Sequence, residues 1–417
     1  MSLRSTYVAV GLRNLAVVAA ATVLAATGTA DASQTTEPSE SSGPPSASIA
    51  DDGRMFSYDA ETGLARYRSC GTDTERQPAA TTSEHGVVRG SLATSQATYD
   101  FTLPTHRAAT GRVRVTPKQT GQAHVLTGPV AATPSPEIPS QDVWDDLETD
   151  LQEVLDRADS DNRISVSVQD LSGVFDGAHV TVGADDPYRA ASTIKVPILA
   201  EMLRLVDCGE LALDETITVT DDDVVGGSGE LKDEEMPLDL SVSHLADLMI
   251  TVSDNTATNV LIDRTGFDGV NALADMQNLD EMWLGRKMMH PGNPETGEEN
   301  FLTAEDAVHH LTALYSGPPL TDGSREVFLD TLRAQESERF FKQALPGVPV
   351  AHKPGGLTSG LSVTHDIGYI LEPGREVALA VMTEGPRDTA LPTAEELVQT
   401  VYQHITADVP DRTESTP

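Results

Sequence analysis

The sequence Ser192-Thr193-Ile194-Lys195 is the most informative stretch of this 417-residue chain. A serine three positions before a lysine lies one helical turn from it on the same helix face, so the amine can take the hydroxyl proton. A Ser-Asp-Asn triplet follows at residues 253–255, and a Lys-Pro-Gly triplet at residues 353–355. A lone S-x-x-K pattern is weak because serine is common. The three motifs in this order in one chain are a strong signal.

Together the motifs resemble the signature of the serine β-lactamase and penicillin-binding protein superfamily, which is S-x-x-K, S-D-N and K-T-G. Their order and spacing are most similar to those of class A β-lactamases. The resemblance covers residues 142–408 and none of the first 140 residues. It implies a class A β-lactamase-like serine hydrolase that reacts through an acyl-enzyme and uses no cofactor.

The first motif supplies the reacting groups in this family. By the resemblance, Ser192 is the nucleophile and Lys195 is its base. Ser192 is expected to open a helix, because Pro197 is tolerated only where the helix has barely begun. Lys195 must be partly neutral to accept a proton; burial and a neighbouring cation, for which Lys353 is the candidate, both lower the pKa of an ammonium group.

The second motif surrounds the base. The resemblance implies that Ser253 relays a proton to the leaving nitrogen and that Asn255 holds both the base and a substrate amide oxygen. Asp254 is interpreted as structural, capping and bracing the turn. Asn259 matches a further position of the family. By itself, Ser-Asp-Asn would be explained as a polar turn between helices.

The third motif departs from the family pattern. Lys353 is expected to hold the substrate, and the N–H of Gly356 is expected to complete an oxyanion hole with the N–H of the nucleophile. Pro354 replaces a threonine whose hydroxyl helps to bind the substrate carboxylate in the family. Proline is permitted on an edge strand, so the backbone can be kept while carboxylate recognition changes.

A second departure concerns deacylation. Class A enzymes carry a glutamate, in a loop after S-D-N, that activates the deacylating water. Residues 284–291 are the corresponding stretch here, and they contain no acid. Glu295, Glu298 and Glu299 follow and are interpreted as solvated loop acids. The sequence therefore predicts intact acylation and slow deacylation.

Residues 1–32 have the pattern of a secretory signal peptide. A basic stretch without acids precedes the apolar run 15–26, and Ala-Asp-Ala at 30–32 offers a small-x-small cleavage site. The run is too short to span a bilayer, so we expect a secreted, extracytoplasmic protein without stable membrane insertion.

The charge of the chain restricts its partners. Acidic residues number 65 and basic residues 28, which gives a net charge of −37. Nucleic acids and anionic membranes are disfavoured by long-range repulsion. The expected partner is a small-molecule β-lactam or peptidoglycan-like substrate, and the expected state is a monomer.

Composition shifts divide the remaining chain. Residues 33–53 are interpreted as a disordered linker, and residues 54–130 as a small β-rich domain without apparent chemistry. Residues 131–141 contain three prolines and are interpreted as a spacer, residues 142–408 as the hydrolase domain, and residues 409–417 as a flexible tail.

Within the hydrolase domain, strand patterns at both ends enclose helical patterns. This order predicts an α+β fold in which a five-stranded, mostly antiparallel sheet flanked by helices meets a helical lobe at a cleft.

Two further features leave alternatives open. Cys70 and Cys208 either pair across domains in an oxidising compartment or stay as two buried thiols. No His/Cys cluster shows metal-ligand spacing in the sequence, and His309 and His310 point to different faces of a helix. We therefore expect no metal.

The sequence thus predicts an active-site serine hydrolase of β-lactam or related amide bonds. A peptidoglycan D,D-peptidase or an esterase is the nearest alternative. A non-catalytic penicillin- or wall-binding protein is the alternative from another class.

Overall fold

The computed structural model describes residues 47–407 apart from short gaps at 52–53, 59–62, 71, 74–76, 85–86, 105–109, 119–123, 130, 133–141, 176, 292–297, 318 and 359–361. The predicted signal peptide, the first part of the predicted linker and the predicted tail lie outside the described residues. Over the described part, no helix has both the length and the apolar character that a membrane span requires.

An N-terminal β-rich region forms two antiparallel sheets. The first has the order β11-β1-β2-β3-β4, with β5 paired to β3, and the second has the order β10-β9-β8-β7-β6. The strands are β1 Ala47–Asp51, β2 Arg54–Tyr58, β3 Leu64–Ser69, β4 Thr72–Asp73, β5 Gln77–Pro78, β6 Ala80–Glu84, β7 Val87–Ala93, β8 Ala97–Pro104, β9 Thr110–Pro117, β10 His124–Pro129 and β11 Ala131–Ala132.

The structure extends this region beyond residues 54–130. Strand β1 lies within the predicted linker 33–53, and β11 lies within the predicted spacer 131–141. The two strands pair with each other, with Ala47 opposite Ala132. This pairing satisfies the backbone N–H and C=O groups of both strands. The amino-acid composition of the two segments, which is typical of linkers, does not indicate it.

The second region contains the predicted five-stranded sheet. All its neighbouring strands are antiparallel, in the order β13-β12-β20-β19-β18. This confirms the predicted α+β class. The helices are α1 Asp142–Asp156, α2 Lys195–Asp207, α3 Val242–Thr251, α4 Asn255–Thr265, α5 Phe267–Met276, α6 Ala304–Ser316, α7 Asp322–Arg333, α8 Phe341–Ala344 and α9 Arg387–Thr406. The strands are β12 Arg163–Asp170, β13 His179–Gly183, β14 Tyr188–Arg189, β15 Thr216–Val219, β16 Leu238–Ser241, β17 Phe301–Leu302, β18 Val350–Leu357, β19 Val363–Ile370 and β20 Val377–Glu384.

The sheet separates two apolar cores. On one face of the sheet, valines of β12 and β13 pack against α1 and α9. The other face of the sheet contributes to the apolar core of the helical lobe. Helix α2 passes through that lobe, and its residues from Lys195 to Arg204 are all buried. A helix buried on all sides gives the residues at its start a rigid support.

The β-rich region docks on the helical lobe through a buried charge network. Arg68 of β3 donates two hydrogen bonds to the Glu201 carboxylate, at 2.8 and 3.2 Å, and Arg204 donates two more at 2.8 and 3.0 Å. Glu201 lies on α2 and is fully buried. A buried carboxylate is tolerated only when it is paired and hydrogen-bonded in this way.

A disulfide joins the same two regions. Cys70 follows β3, Cys208 follows α2, and their Cα atoms are 5.2 Å apart. Of the two alternatives left open by the sequence, the structure shows the bridge. The bond closes a loop with a sequence separation of 138 residues.

Loss of this bridge is expected to destabilise the protein. The variant Cys208→Ser should lower the free energy of unfolding by about 2–5 kcal/mol, because a long loop is no longer closed in the unfolded chain. Urea unfolding followed by circular dichroism measures the change. Wild type treated with reductant should show the same lower midpoint; a midpoint unchanged by reduction would contradict the prediction.

Candidate active site

An open cleft of about 460 Å³ lies between the helical lobe and the edge of the sheet. Residues of all three sequence motifs line it: Ser192, Ser253 and the segment from Lys353 to Gly356. Chain segments 61 and 161 residues after the serine therefore meet at one place. The structure brings the predicted site residues together at this cleft.

The first motif forms a tight turn that leads into α2. Ser192 lies in the 3₁₀ turn Ala191–Ile194, and α2 continues directly at Lys195. Pro197 is the third residue of α2, in its first turn, as predicted. The residue before the serine, Ala191, has a left-handed backbone with φ of 49°. Such strain in a non-glycine residue is typical of functional sites.

Strand β18 passes very close to this turn. A Cβ atom on Gly355 would lie 3.1 Å from the backbone N of Thr193 and 3.2 Å from the carbonyl O of Ala190. Only a glycine fits here without displacing the backbone of the turn. The close approach brings the next residue, Gly356, to the same end of the cleft as Ser192.

The amine of Lys195 is held by the second motif. Its Nζ lies 2.8 Å from the carbonyl O of Ser253, 3.0 Å from the Oγ of Ser253 and 2.9 Å from the Oδ1 of Asn255. The carbonyl and amide oxygens can only accept hydrogen bonds. In a neutral amine they can occupy both N–H groups, which leaves the lone pair available to accept a proton from a hydroxyl group. This arrangement supports proton transfer through Lys195.

The environment of Lys195 favours its neutral form. Complete burial lowers its pKa well below the usual value, and the positive charge of Lys353 lowers it further, while Asp254 opposes the shift. Both causes were predicted from the sequence. A base must be unprotonated to act, so the direction of the shift suits that role.

The Ser-Asp-Asn triplet forms a braced turn before α4. Asp254 caps the helix by accepting from the N–H of Ala257 at 2.9 Å. Its second oxygen accepts from the N–H groups of Glu230 and Leu231 at 2.7 and 2.9 Å. Ser253 has a left-handed backbone with φ of 57°. The structural interpretation of Asp254 agrees with these contacts, and the bracing holds Ser253 in its strained position.

Lys353 is buried in β18, and its Nζ donates to the carbonyl O of Pro354 at 3.0 Å. Burial lowers the pKa of Lys353 to about 7, against the opposing effect of Asp366. Strand β18 is an edge strand of the sheet, which is where proline is tolerated. Gly356 is exposed in the cleft beyond it.

The loop after α5 is fixed beside α4. The side chain of Asn259 accepts from the N–H of Met288 at 2.7 Å and donates to its C=O at 3.1 Å. Asn259 lies one helical turn after Asn255, which contacts Lys195. These two bonds fix the backbone of Met288 beside α4, and the Met288 side chain is buried in the apolar core of the helical lobe. Asn259 was noted in the sequence as a family position, and the structure gives it this contact.

The acids that follow in the chain are placed differently from the prediction. Glu299 was interpreted as a solvated loop acid, but it is buried and pairs with Arg286 at 2.7 Å. The loop doubles back on itself there, and an unpaired buried carboxylate would be costly. Glu298 is exposed, as predicted. Glu295 lies outside the described residues.

Two arginines at the cleft have no sequence signal. Most arginines between residues 142 and 406 form ion pairs with acids. Arg339 and Arg387 line the cleft and, among the described residues, have no carboxylate within ion-pair distance. With Lys353 they place three cationic groups at the cleft, against one acid, Glu336. The cleft therefore favours an anionic ligand in a strongly acidic chain.

In the part of the chain that the structure describes, one cluster could hold a metal ion, and it lies away from the cleft. It consists of His179, Glu305 and His309. Residues close together in the sequence showed no metal-ligand spacing, so no metal was expected. Glu305 and His309 are four residues apart on α6 and therefore share a helix face, which is a sequence pattern compatible with metal binding. The third residue, His179, comes from a distant strand and could not be assigned to the cluster from the sequence.

The comparisons with known proteins agree with this geometry. The model of the family described as "Beta-lactamase enzyme family" matches residues 146–405. β-Lactamase BRO-1 of Moraxella catarrhalis is 40% identical over 78 residues, 18% of this chain and 24% of that protein, so the match spans about a quarter of its length. The β-lactamase of Sphaerobacter thermophilus superposes with a TM-score of 0.57 and 28% identity, over 64% of this chain and 99% of that one. A mutant of PBP-A in an acyl-enzyme complex with penicillin G has a TM-score of 0.55 and 28% identity, over 64% of this chain and 98% of that one.

Proposed function

The chain belongs to the β-lactamase enzyme family, and we propose that it is a secreted serine hydrolase acylated at Ser192 by a β-lactam or a related amide. The observation that carries this proposal is the environment of Lys195. The amine is buried, its pKa is lowered, and it contacts the Ser253 and Asn255 side chains of the second motif beside the cleft where Ser192 lies.

Acylation proceeds as addition followed by elimination. The Ser192 hydroxyl gives its proton to the neutral amine of Lys195, and the Oγ forms a bond to the carbonyl carbon of the substrate. The negative charge that develops on the carbonyl oxygen is stabilised by the N–H groups of Ser192 and Gly356.

Collapse of the tetrahedral intermediate breaks the carbon–nitrogen bond. The proton now on Lys195 passes through the Ser253 hydroxyl, 3.0 Å away, to the leaving nitrogen. The products of this half-reaction are an ester on Ser192 and a free amine, which in a β-lactam stays attached to the same molecule. Lys195 returns to its neutral form.

Deacylation lacks the acid that class A enzymes carry in the loop after the second motif, because residues 284–291 contain no acid. Water must lose a proton as it attacks the ester. Among the described acids of this loop, Glu299 is already paired with Arg286. We therefore infer a long-lived acyl-enzyme.

The charge of the cleft supports a substrate that carries a carboxylate. Lys353, Arg339 and Arg387 supply positive charge, and the missing threonine hydroxyl of the third motif makes such groups more important. β-Lactams and peptidoglycan stem peptides both carry a carboxylate near the reacting amide. An esterase for neutral esters fits this cleft less well.

The Cys70–Cys208 bridge supports the extracytoplasmic location, because structural disulfides form and persist in oxidising compartments. The predicted signal peptide is consistent with the same location. Removal of residues 1–32 from the mature protein, read from its N-terminal sequence, would test it.

Nitrocefin kinetics with matched labelling distinguish the proposal from its alternatives. We expect a burst of product equal to the enzyme concentration, followed by turnover far slower than the burst, and intact protein heavier by one ring-opened penicillin for minutes. The reason is that acylation has its base while deacylation does not. Rapid steady turnover without a burst would contradict slow deacylation, and Glu295, Glu298 and Glu299 would then be substituted first.

The variant Met288→Glu is the matched gain-of-function test. A carboxylate at this position is expected to raise the steady rate while leaving the burst amplitude unchanged. Val174→Glu, at an exposed position that does not line the cleft, is the control for a general charge effect. Turnover of a D-Ala-D-Ala peptide without accumulation of a penicillin adduct would favour the D,D-peptidase alternative. Tight, reversible binding of penicillin without any covalent mass would favour the non-catalytic alternative.

A further inference from the structure

A group of metal-binding side chains lies at the sheet edge farthest from the catalytic cleft. His179 begins β13, and Glu305 and His309 lie four residues apart on α6. One ligand atom from each residue lies within 4.8 Å of the other two. Strand β13 is four strands away from β18 in the sheet, which is about 19 Å at the usual strand spacing. The group is therefore separate from the proposed active site.

The face of the sheet under α6 is polar at this edge. Ser167 lies opposite Thr181 in the pairing of β12 with β13, and Gln169 lies opposite His179. The Nε2 of His179 hydrogen-bonds the hydroxyl of Ser167 at 2.9 Å and that of Thr181 at 3.2 Å. Hydroxyl groups in these positions fix the plane of the imidazole ring, as the outer neighbours of a metal-ligating histidine do.

The rings of His179 and His309 lie close together, with centroids 5.0 Å apart. Two imidazoles and a carboxylate are the donor set that zinc and similar transition metals prefer.

We propose that His179, Glu305 and His309 bind a divalent transition-metal ion, with Zn²⁺ as the best fit, and that the ion ties α6 to the edge of the sheet. Zinc bonds of about 2.1 Å hold neighbouring ligand atoms about 3.4 Å apart. The three side chains therefore need to move inward by at most about 1 Å on binding. Water completes the coordination, since three protein ligands leave a position open.

The test is a calorimetric titration of the chelator-treated full-length protein with Zn²⁺. Excess Mg²⁺ is included, because it occupies the carboxylate sites of this acidic surface but does not compete for imidazole. One equivalent of Zn²⁺ is expected to bind with micromolar or tighter affinity and to raise the melting temperature.

Variants assign the binding to the three residues. His309→Ala and Glu305→Gln are each expected to weaken Zn²⁺ binding by about tenfold or more, and Ser167→Ala to weaken it by about tenfold through the ring orientation. His244→Ala removes an exposed histidine elsewhere and should change nothing. Glu305 is exposed, so its variant remains informative even if His309→Ala fails to fold. Absence of Zn²⁺ binding, or binding that survives Glu305→Gln and His309→Ala unchanged, overturns the proposal.

Discussion

Ser192→Ala is expected to abolish covalent labelling by a fluorescent penicillin and to lower the rate of the acylation step by about 10⁶-fold, the order of loss found when a catalytic serine is removed. The alanine keeps the 3₁₀ turn and the backbone N–H but removes the only atom that can form the ester. Gel fluorescence and intact-protein mass spectrometry measure the labelling.

Ser253→Ala is the matched comparison, because Ser253 lies in the same cleft and its Oγ is 3.0 Å from the same amine. As a proton relay, Ser253 should slow acylation when it is removed, by about 10²–10⁴-fold, without preventing it. Label that persists in Ser192→Ala and disappears in Ser253→Ala would reverse the assignment of the nucleophile.

Lys195→Arg is expected to lower the acylation rate by about 10²–10⁴-fold, the contribution of a well-placed general base. The guanidinium can still donate a hydrogen bond to Asn255, but it stays positively charged because it cannot be deprotonated in a protein. Stopped-flow acylation with nitrocefin measures the loss. Near wild-type acylation by the arginine variant would show that lysine is not the base, and Lys195→Ala controls for the change in volume.

The pH dependence of the acylation rate should also show whether Lys195 is the base. Below the pKa of Lys195 the amine is protonated, so the rate falls as the pH is lowered through that pKa. The pKa of Lys353 is about 7, so its positive charge, and with it the binding of an anionic substrate, is lost as the pH rises above that value. The low-pH limb should be absent in Lys195→Arg, because the titrating base is gone.

The fold and the centre of the site could be predicted because their signals are local. Proline in the first turn of α2 and the caps around Asp254 act within a few residues. Short segments rich in apolar residues within β18, β19 and β20 indicated strands of the sheet, and the edge position required by Pro354 agreed with its place in the fold. Patterns of this kind depend on neighbours in the chain.

Other features depend on contacts between distant parts of the chain. Arg339 and Arg387 lie in no recognisable sequence motif. Only the folded structure brings them to the cleft that Lys353 also lines. The pairing of Glu299 with Arg286 depends on how the loop turns, which no spacing rule gives. Pairing of β1 with β11 joins residues at opposite ends of the β-rich region, where the composition indicated linkers.

The docking of the β-rich region also determines how the protein can be divided. A chain cut at the start of α1, near the boundary of the family match, would lose Arg68 and leave the buried carboxylate of Glu201 with a single arginine. It would also expose the Cys208 thiol and remove Met55 from the apolar core of the helical lobe. Glu201 lies on the helix that begins with the proposed base, and Cys208 directly follows it. We therefore expect a chain without the β-rich region to unfold more readily around this helix, although the missing segment carries no residue of the proposed active site.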